Sequence, residues 1–277
     1  MGKYVLIGHP LGHSMSPFIH NTLFEMSGRE ADYKCVDIAP ENLESQIAEI
    51  NKLNGYNITI PHKVSVIPFL DKLDETAVRY GAVNCVENKN GVLTGYNTDC
   101  VGFVRSAEGL ALGGKVLLLG CGGAGRMIAI ETALKGADLT IAIIPEARQM
   151  ADTLIAEIME KVPSAKVKCI MMNEISGKYD LLINATPVGM YPKSDACPVS
   201  DEVIADCGGV FDVVYNPIKT QLIRKAEAMG KKAVGGIAML VLQAVKAHEI
   251  WDGDFYTDEQ INEIIEKSAQ KVEADFR

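Results

Sequence analysis

The amino-acid sequence predicts an α/β protein with two domains, each built on a mainly parallel sheet. Short apolar segments alternate with amphipathic helical segments along both halves of the chain, and this order is typical of parallel sheets covered by helices. The length of 277 residues, at about 150 residues per domain, indicates two domains. Hydrophobic residues make up 48% of the chain and charged residues 23%, a balance that excludes a disordered chain.

The first half begins with an apolar strand and continues as alternating helices and strands. In order, we predict a strand at 5–7, a helix at 18–26, a strand at 33–37, a helix at 43–50, a strand at 56–60 and a hairpin at 85–94. Pro61 stops the third strand, and Asn90-Gly91 is a strong signal for the hairpin turn.

The second half has a more uniform pattern of buried strands and intervening helices. Its predicted strands are 115–119, 139–143, 167–171, 181–184 and 210–213. A long helix follows Gly235-Gly236. A last helix opens with the capping box Thr257 to Gln260, in which the two side chains satisfy free backbone N–H groups.

Charge and composition exclude several classes of partner. The net charge of -9 and the pI near 5.1 argue against nucleic acid, which requires clustered Lys and Arg. No window approaches the roughly 18 consecutive apolar residues of a membrane span, so no membrane partner is expected. The substrate is then expected to be a small molecule.

The cysteines and the N-terminus indicate the compartment. Seven cysteines, without a Cys-x-x-Cys pair, predict neither a disulfide framework nor a zinc site. The first apolar run, 4–7, is too short for a signal peptide. We expect a reduced cytoplasmic protein with no metal.

A glycine cluster follows the first strand of the second half. Gly120 to Gly125 satisfies Gly-x-Gly-x-x-Gly between a predicted strand and a helix. Such glycines allow a tight turn and a close approach of a pyrophosphate to a helix N-terminus. This context favours a Rossmann-type, doubly wound cofactor domain over a turn used only for packing.

The end of the next strand normally distinguishes the two nicotinamide dinucleotides. An acidic residue there binds the ribose 2'-hydroxyl of NAD, whereas a basic residue accepts the 2'-phosphate of NADP. The sequence at this place is Ile143-Ile144-Pro145-Glu146-Ala147-Arg148. Glu146 and Arg148 are each at least as typical of an exposed helix start, so neither determinant is clear.

Two serines precede the first helix. Ser16 suits the N-cap and Pro17 the first helical position. Capping alone does not account for Ser14. Two hydroxyls beside a helix N-terminus also form an anion site of carboxylate size, and this site would use both serines.

A lysine and an aspartate stand out only in combination. Lys63 follows the Asn57 to Pro61 segment, and Asp99 precedes a predicted helix. Taken singly, Lys63 is typical of a solvated lysine and Asp99 of a helix cap.

In combination, these motifs resemble the shikimate dehydrogenase family over nearly the whole chain. Eight blocks match in order: 8–17, 57–63, 81–84, 97–99, 120–124, 184–190, 212–217 and 235–244. Eight ordered blocks are far more specific than any one of them.

The resemblance implies the roles of individual residues. Lys63 becomes the catalytic lysine with Asp99 as its partner, and Ser14 and Ser16 hold the substrate carboxylate. Contacts to the ring hydroxyls of the substrate are implied for Asn57, Thr59, Asn84, Asp99 and Gln243. Tyr215 is implied to lie near the substrate. A path for NADP or NAD is implied along Gly120, Gly122, Gly123, Ala124, Thr186, Gly236 and Met239, with Arg148 as the retained basic residue.

The resemblance also implies a discontinuous organisation. A smaller α/β substrate domain comprises 1–103, the NAD(P)-binding Rossmann domain comprises 104–235, and the helices of 236–277 return to the substrate domain. The sequence departs from the family pattern in two places. Ile143-Ile144-Pro145 replaces the Asn-Arg-Thr common in NADP-dependent members, and His248 stands where a phenylalanine is common.

The implied activity is the reversible NAD(P)H-dependent reduction of 3-dehydroshikimate to shikimate, a step of aromatic amino acid (chorismate) biosynthesis, by a monomer or homodimer. Lys63 would protonate the oxygen that receives negative charge. An NAD-dependent quinate or dual quinate/shikimate dehydrogenase is the nearest alternative. A non-catalytic dinucleotide sensor on the same fold is a second alternative, because fold does not fix function.

Overall fold

The computed structural model describes residues 2–12 and 14–275, so His13 in the first matching block lies outside the described residues. Within the described residues the chain packs as two compact units. The first unit comprises the described residues of Met1–Gly102 and Leu240–Gln270, and the second those of Phe103–Met239 and Lys271–Arg277.

The first unit is built on a six-stranded mixed sheet. Its elements are β1 (Gly2–Gly8), α1 (Ser16–Ser27), β2 (Ala31–Asp37), α2 (Leu43–Ile50), β3 (Gly55–Ile58), β4 (Lys72–Leu73), α3 (Glu75–Tyr80), β5 (Cys85–Lys89) and β6 (Val92–Tyr96), followed by α4 (Asp99–Ser106). The strand order is β2-β1-β3-β5-β6-β4. β1 pairs in parallel with β2 and β3, and β4 with β6, whereas β5 is antiparallel to both of its neighbours.

Local sequence explains most of these elements. Asn90 and Gly91 adopt φ values of 56° and 84°, the left-handed conformation that a two-residue hairpin turn requires, so the predicted hairpin is confirmed. The predicted third strand is two residues too long at its end: β3 ends at Ile58, and Ile60 is exposed. β4 and α3 were not predicted.

The second unit is built on a sheet in which every neighbouring pair is parallel. Its elements are β7 (Lys115–Leu119), α5 (Gly123–Leu134), β8 (Asp138–Ile143), α6 (Arg148–Lys161), β9 (Lys166–Met171), β10 (Tyr179–Asn184), α7 (Asp201–Ala205), β11 (Cys207–Asp212), α8 (Gln221–Ala228) and β12 (Lys232–Gly235). The order is β12-β11-β10-β7-β8-β9. Counted from β7 this is 3-2-1-4-5-6, the doubly wound order of dinucleotide-binding domains.

Buried strands account for the parallel sheet. Val116 to Leu119 of β7 are fully buried, as expected for a central parallel strand covered on both faces. This confirms the predicted α/β class with a Rossmann-type unit.

Two long helices end the described chain. α9 (Ile237–Asp252) starts directly after Gly236, as predicted, and α10 (Asp258–Asp275) follows. The capping box before α10 is confirmed: the Thr257 N–H donates to Gln260 Oε1 at 3.0 Å, and the Gln260 N–H donates to Thr257 Oγ1 at 3.3 Å.

Candidate active site

A polar cluster forms in the first unit where three chain segments meet. Lys63 lies in the turn after β3, Asn84 directly before β5, and Asp99 at the first position of α4. The Val83 N–H donates to the Lys63 carbonyl at 2.7 Å, and the Asn84 N–H donates to the Tyr96 carbonyl at 3.0 Å. These backbone bonds hold the turn and both ends of the hairpin together.

The Lys63 and Asp99 side chains are in direct contact. Lys63 Nζ donates to Asp99 Oδ2 at 2.6 Å, and the two side chains are 29% and 24% exposed. Asn84 Nδ2 donates to the other carboxylate oxygen, Oδ1, at 2.7 Å. Both oxygens of Asp99 are therefore engaged, whereas an ammonium has three donor hydrogens and can offer another to a bound molecule.

Asn84 is held by a residue that the sequence analysis did not single out. The Thr98 N–H donates to Asn84 Oδ1 at 2.7 Å. Thr98 is 1% exposed, and its hydroxyl lies 3.3 Å from Gln243 Oε1 on α9. Gln243 Oε1 is also 3.5 Å from Asn84 Nδ2. Thr98 directly precedes the predicted site residue Asp99 in the Asn-Thr-Asp block, which was the available signal.

Asn57 extends the same network along β3. Its side chain is buried, and Nδ2 donates to the Asn84 carbonyl at 3.1 Å. Thr59 follows at the end of the strand, and its methyl group fills the space that a side chain on Gly8 would need. Gly8 therefore permits β1 and the Thr59 segment to approach closely.

The two serines lie in the loop between β1 and α1. Ser16 is the first residue of α1, and the N-cap is Met15 without a side-chain cap bond, so the predicted capping role of Ser16 is wrong by one position. Instead, the Ser16 N–H donates to Ser14 Oγ at 3.2 Å. Among the described residues, no hydrogen bond joins Ser14, Ser16 or Thr59 to the Lys63–Asp99 pair.

The glycines of the turn in the second unit have different structural roles. Gly120 has φ +88°, and a side chain there would press on Thr186. Gly125 lies on α5, and a Cβ at this position would meet the Gly120 carbonyl oxygen at 2.5 Å. Gly122 and Gly123 face open space at the N-terminal end of α5, followed by Ala124. Tight turn, open approach and close packing are the three roles of glycine in a pyrophosphate-binding turn.

Other predicted cofactor residues lie at the carboxyl ends of neighbouring strands. Thr186 follows β10 and donates through Oγ1 to Asn184 Oδ1 at 2.6 Å, while Asn184 Nδ2 donates to the buried Asp212 carboxylate at 2.9 Å. Burial raises the pKa of Asp212, and hydrogen bonds from Thr220, the Val214 N–H and Asn184 oppose this shift.

Gly236, Met239 and Tyr215 also belong to the second unit. Gly236 packs against the Val213 carbonyl so closely that no side chain fits, and Met239 is half-buried on the first turn of α9. Burial raises the pKa of the half-buried Tyr215 phenol. Tyr215 therefore belongs to a different unit from Asn57, Asn84 and Asp99, with which the resemblance groups it.

The end of β8 carries no buried charged determinant. Ile144 is 57% exposed, and Glu146 is exposed. Arg148 begins α6, and its Nε lies 3.2 Å from the Asp152 carboxylate, with both side chains more than half exposed. Such surface pairs contribute little, so Arg148 remains available to an anionic ligand.

In the described part of the chain, neither a metal-binding cluster nor a membrane-spanning helix is present. No group of three or more potential ligands is placed to hold a metal ion. None of the helices in 2–12 and 14–275 has the length and apolar character needed to cross a membrane.

A 3-2-1-4-5-6 sheet with this glycine turn, in a chain that also holds a lysine–aspartate pair, defines the class of dinucleotide-dependent α/β oxidoreductases. Residues 6–86 match the family model described as the shikimate dehydrogenase substrate binding domain. The chain is 40% identical over 269 residues to the shikimate dehydrogenase (NADP(+)) of Caldanaerobacter subterraneus subsp. tengcongensis, covering 94% of this chain and 95% of that protein.

Two solved structures of shikimate dehydrogenases are also similar to this chain. A crystal structure of a shikimate dehydrogenase in complex with NADP+ has a TM-score of 0.88 and 35% identity, covering 97% of this chain and 96% of the other. A shikimate 5-dehydrogenase from Listeria monocytogenes in complex with shikimate and NAD has a TM-score of 0.86 and 31% identity, covering 96% of both chains. This chain belongs to the shikimate dehydrogenase family.

Proposed function

We propose that this protein catalyses the reversible reduction of 3-dehydroshikimate to shikimate with a nicotinamide dinucleotide. The observation that carries the proposal is the 2.6 Å contact between Lys63 Nζ and Asp99 Oδ2, inside a polar cluster of a chain from this family. An amine held by a carboxylate is suited to transfer a proton to and from a substrate oxygen.

The substrate is assigned to the polar residues of the first unit. Ser14 and Ser16 would bind the carboxylate, since two hydroxyls and the N-terminus of the twelve-residue α1 favour an anion. The ring hydroxyls would be bound by Asn57, Thr59, Asn84, Asp99 and Gln243, with Tyr215 as a further substrate contact. Amide and carboxylate groups offer both donors and acceptors, as a polyol requires.

The dinucleotide is assigned to the second unit. Gly122, Gly123 and Ala124 would face its pyrophosphate, because the space beside both glycines is open and the N-terminus of α5 favours negative charge. Gly120, Thr186, Gly236, Met239 and Arg148 would complete the site. When bound, the reduced nicotinamide supplies the hydride.

Lys63 would act on the oxygen of the reacting carbonyl. During reduction this oxygen gains negative charge, which a nearby ammonium stabilises and then neutralises by donating a proton. At an effective dielectric of 20, charges 2.6 Å apart attract by about 6 kcal/mol before desolvation is subtracted. Asp99, itself fixed by Asn84, would thus orient the amine.

The cellular setting follows from the same assignment. The reaction belongs to the biosynthesis of aromatic amino acids through chorismate, and we assign the protein to the cytoplasm as a monomer or homodimer. NADP is the cofactor named for the Caldanaerobacter relative, but the exposed Ile144 at the end of β8 makes NAD a necessary comparison.

The test is a set of initial rates with the four combinations of shikimate or quinate and NADP or NAD. The highest kcat/KM is expected with shikimate and NADP. Higher kcat/KM with quinate and NAD would replace the proposal by a quinate dehydrogenase. No formation of reduced dinucleotide from either substrate would favour a non-catalytic sensor.

A further inference from the structure

Tyr33 is a buried phenol that is hydrogen-bonded to Asn57, one of the residues assigned to the substrate. It lies on β2, is 2% exposed, and stacks on the His20 ring with a centroid distance of 4.1 Å and an interplanar angle of 6°. Asn21 brackets its backbone: Asn21 Nδ2 donates to the Tyr33 carbonyl, and the Tyr33 N–H donates to Asn21 Oδ1, both at 3.0 Å. The position of the phenol hydroxyl is therefore fixed.

That hydroxyl donates to Asn57 Oδ1 at 2.8 Å. At the other end of the same amide, Asn57 Nδ2 faces the Asn84 carbonyl at 3.1 Å, and a carbonyl can only accept. The nitrogen must therefore lie toward Asn84 and the oxygen toward Tyr33. Burial raises the pKa of the Tyr33 phenol well above its ordinary value, so the phenol stays protonated and keeps its donor role.

The fixed amide has a defined polarity. Asn57 Nδ2 carries two hydrogens, and its one hydrogen-bond acceptor among the described residues is the Asn84 carbonyl. The remaining N–H is the group available to a ligand, while Oδ1 is engaged with Tyr33. A ligand hydroxyl at this point would be recognised through the lone pair of its oxygen.

We propose that Tyr33 is a positioning residue, whose hydroxyl fixes the Asn57 amide so that it presents an N–H donor to a ring hydroxyl of the substrate. This inference rests on the proposed function for the identity of that substrate. The fixing of the amide by Tyr33 is a property of the protein alone and does not depend on the proposed function.

Tyr33→Phe removes the hydroxyl and keeps the ring on His20. The buried Asn57 Oδ1 then lacks a partner, and the amide is held only at its nitrogen end, by the Asn84 carbonyl, so the plane of the amide is no longer fixed. We expect KM for shikimate to rise about tenfold, with kcat changed less than about twofold and KM for the dinucleotide unchanged, because the lost contact concerns binding of the substrate.

Tyr56→Phe is the matched control. Tyr56 lies on β3 of the same unit, is fully buried, and donates to Asn51 Oδ1 at 2.7 Å. The substitution deletes the same type of hydrogen bond without touching Asn57, so KM for shikimate should stay at the wild-type value. An equal rise of KM in both variants would overturn the proposal in favour of general loosening.

A double-mutant cycle tests whether Tyr33 acts through Asn57. In an Asn57→Ala background, Tyr33→Phe should leave KM for shikimate unchanged, since the group that it positions is absent. The same tenfold rise in both backgrounds, or no rise in the wild-type background, would overturn the proposal.

A measurement independent of activity separates the two proposals. The NMR resonances of the Asn57 side-chain NH₂ group can be assigned in the wild-type protein by their loss in Asn57→Ala. Relative to the wild type, these resonances should shift in Tyr33→Phe and stay in place in Tyr56→Phe. If the wild type turned over no shikimate, the proposed function would fail, and these resonances would still decide whether Tyr33 fixes the amide. Unchanged resonances in Tyr33→Phe would overturn the positioning role.

Discussion

Substitution by alanine is expected to weaken dinucleotide binding at Gly122 and to lower the free energy of unfolding at Gly125. A Cβ on Gly122 meets nothing within 4 Å, whereas a Cβ on Gly125 meets the Gly120 carbonyl oxygen at 2.5 Å and its carbon at 3.0 Å. The first glycine would leave room for a ligand, and the second lets α5 pack on the end of β7.

The magnitudes follow from these distances. Ordinary contact begins near 3.4 Å, so Gly125→Ala must open a gap of about 0.9 Å against backbone atoms. Overpacking of this kind costs about 1–3 kcal/mol, which the better helix propensity of alanine offsets by about 1 kcal/mol. Gly122 has φ -65° and ψ -170°, which alanine adopts freely, so its free energy of unfolding should change by less than about 1 kcal/mol.

Two measurements on each variant decide the matter. Urea denaturation should show a loss for Gly125→Ala and almost none for Gly122→Ala. Calorimetric titration with NADP should show Kd raised at least tenfold in Gly122→Ala, because the added methyl occupies the space assigned to the pyrophosphate. Wild-type affinity in Gly122→Ala would refute the assignment of this turn to the dinucleotide.

Three further perturbations follow from the structure. Asp99→Asn should lower kcat at least tenfold, since a neutral amide cannot pair with the Lys63 ammonium; a kcat within twofold of wild type would contradict this. Burial lowers the pKa of His20 well below its ordinary 6.5 and also lowers that of His248. Both bind more protons when unfolded, so the free energy of unfolding is highest above pH 6.5 and should be lower at pH 5.5 than at pH 7.5, by on the order of 1 kcal/mol; equal unfolding free energies at the two pH values would exclude this. Arg148→Gln should raise KM for NADP about tenfold and leave KM for NAD unchanged, and an unchanged KM for NADP would remove Arg148 from the site.

Much of the fold could be predicted from the sequence because its signals are local. The buried run of β7 and the left-handed Asn90-Gly91 turn each encode their own structure. β4 has only two residues, Lys72 and Leu73, which pair with β6, and no periodicity can be recognised in so short a segment. The same reason applies to α3, although Asp74 caps it by accepting from the Thr76 N–H.

The candidate site was harder to predict from local sequence. Lys63 and Asp99 are separated by 36 positions, and only the ordered set of motifs connected them. Tyr33 and Asn57 lie on β2 and β3, which are separated by β1 in the sheet. Their contact depends on strand order and register, in which Cys35, Leu6 and Asn57 align across the three strands. No local pattern specifies that alignment, so the support behind Asn57 became apparent only in the structure.

The central claim is that Lys63 transfers the proton in shikimate oxidation and reduction. The direct measurement is kcat of Lys63→Ala together with the Kd of shikimate, beside Lys52→Ala as a control, since Lys52 is an exposed lysine whose ion pair within 2–12 and 14–275 is with Glu49. The account predicts a loss of about 10²–10⁴ in kcat for Lys63→Ala, a Kd within a few-fold of wild type, and no effect of Lys52→Ala. Turnover near the wild-type value in Lys63→Ala would contradict it.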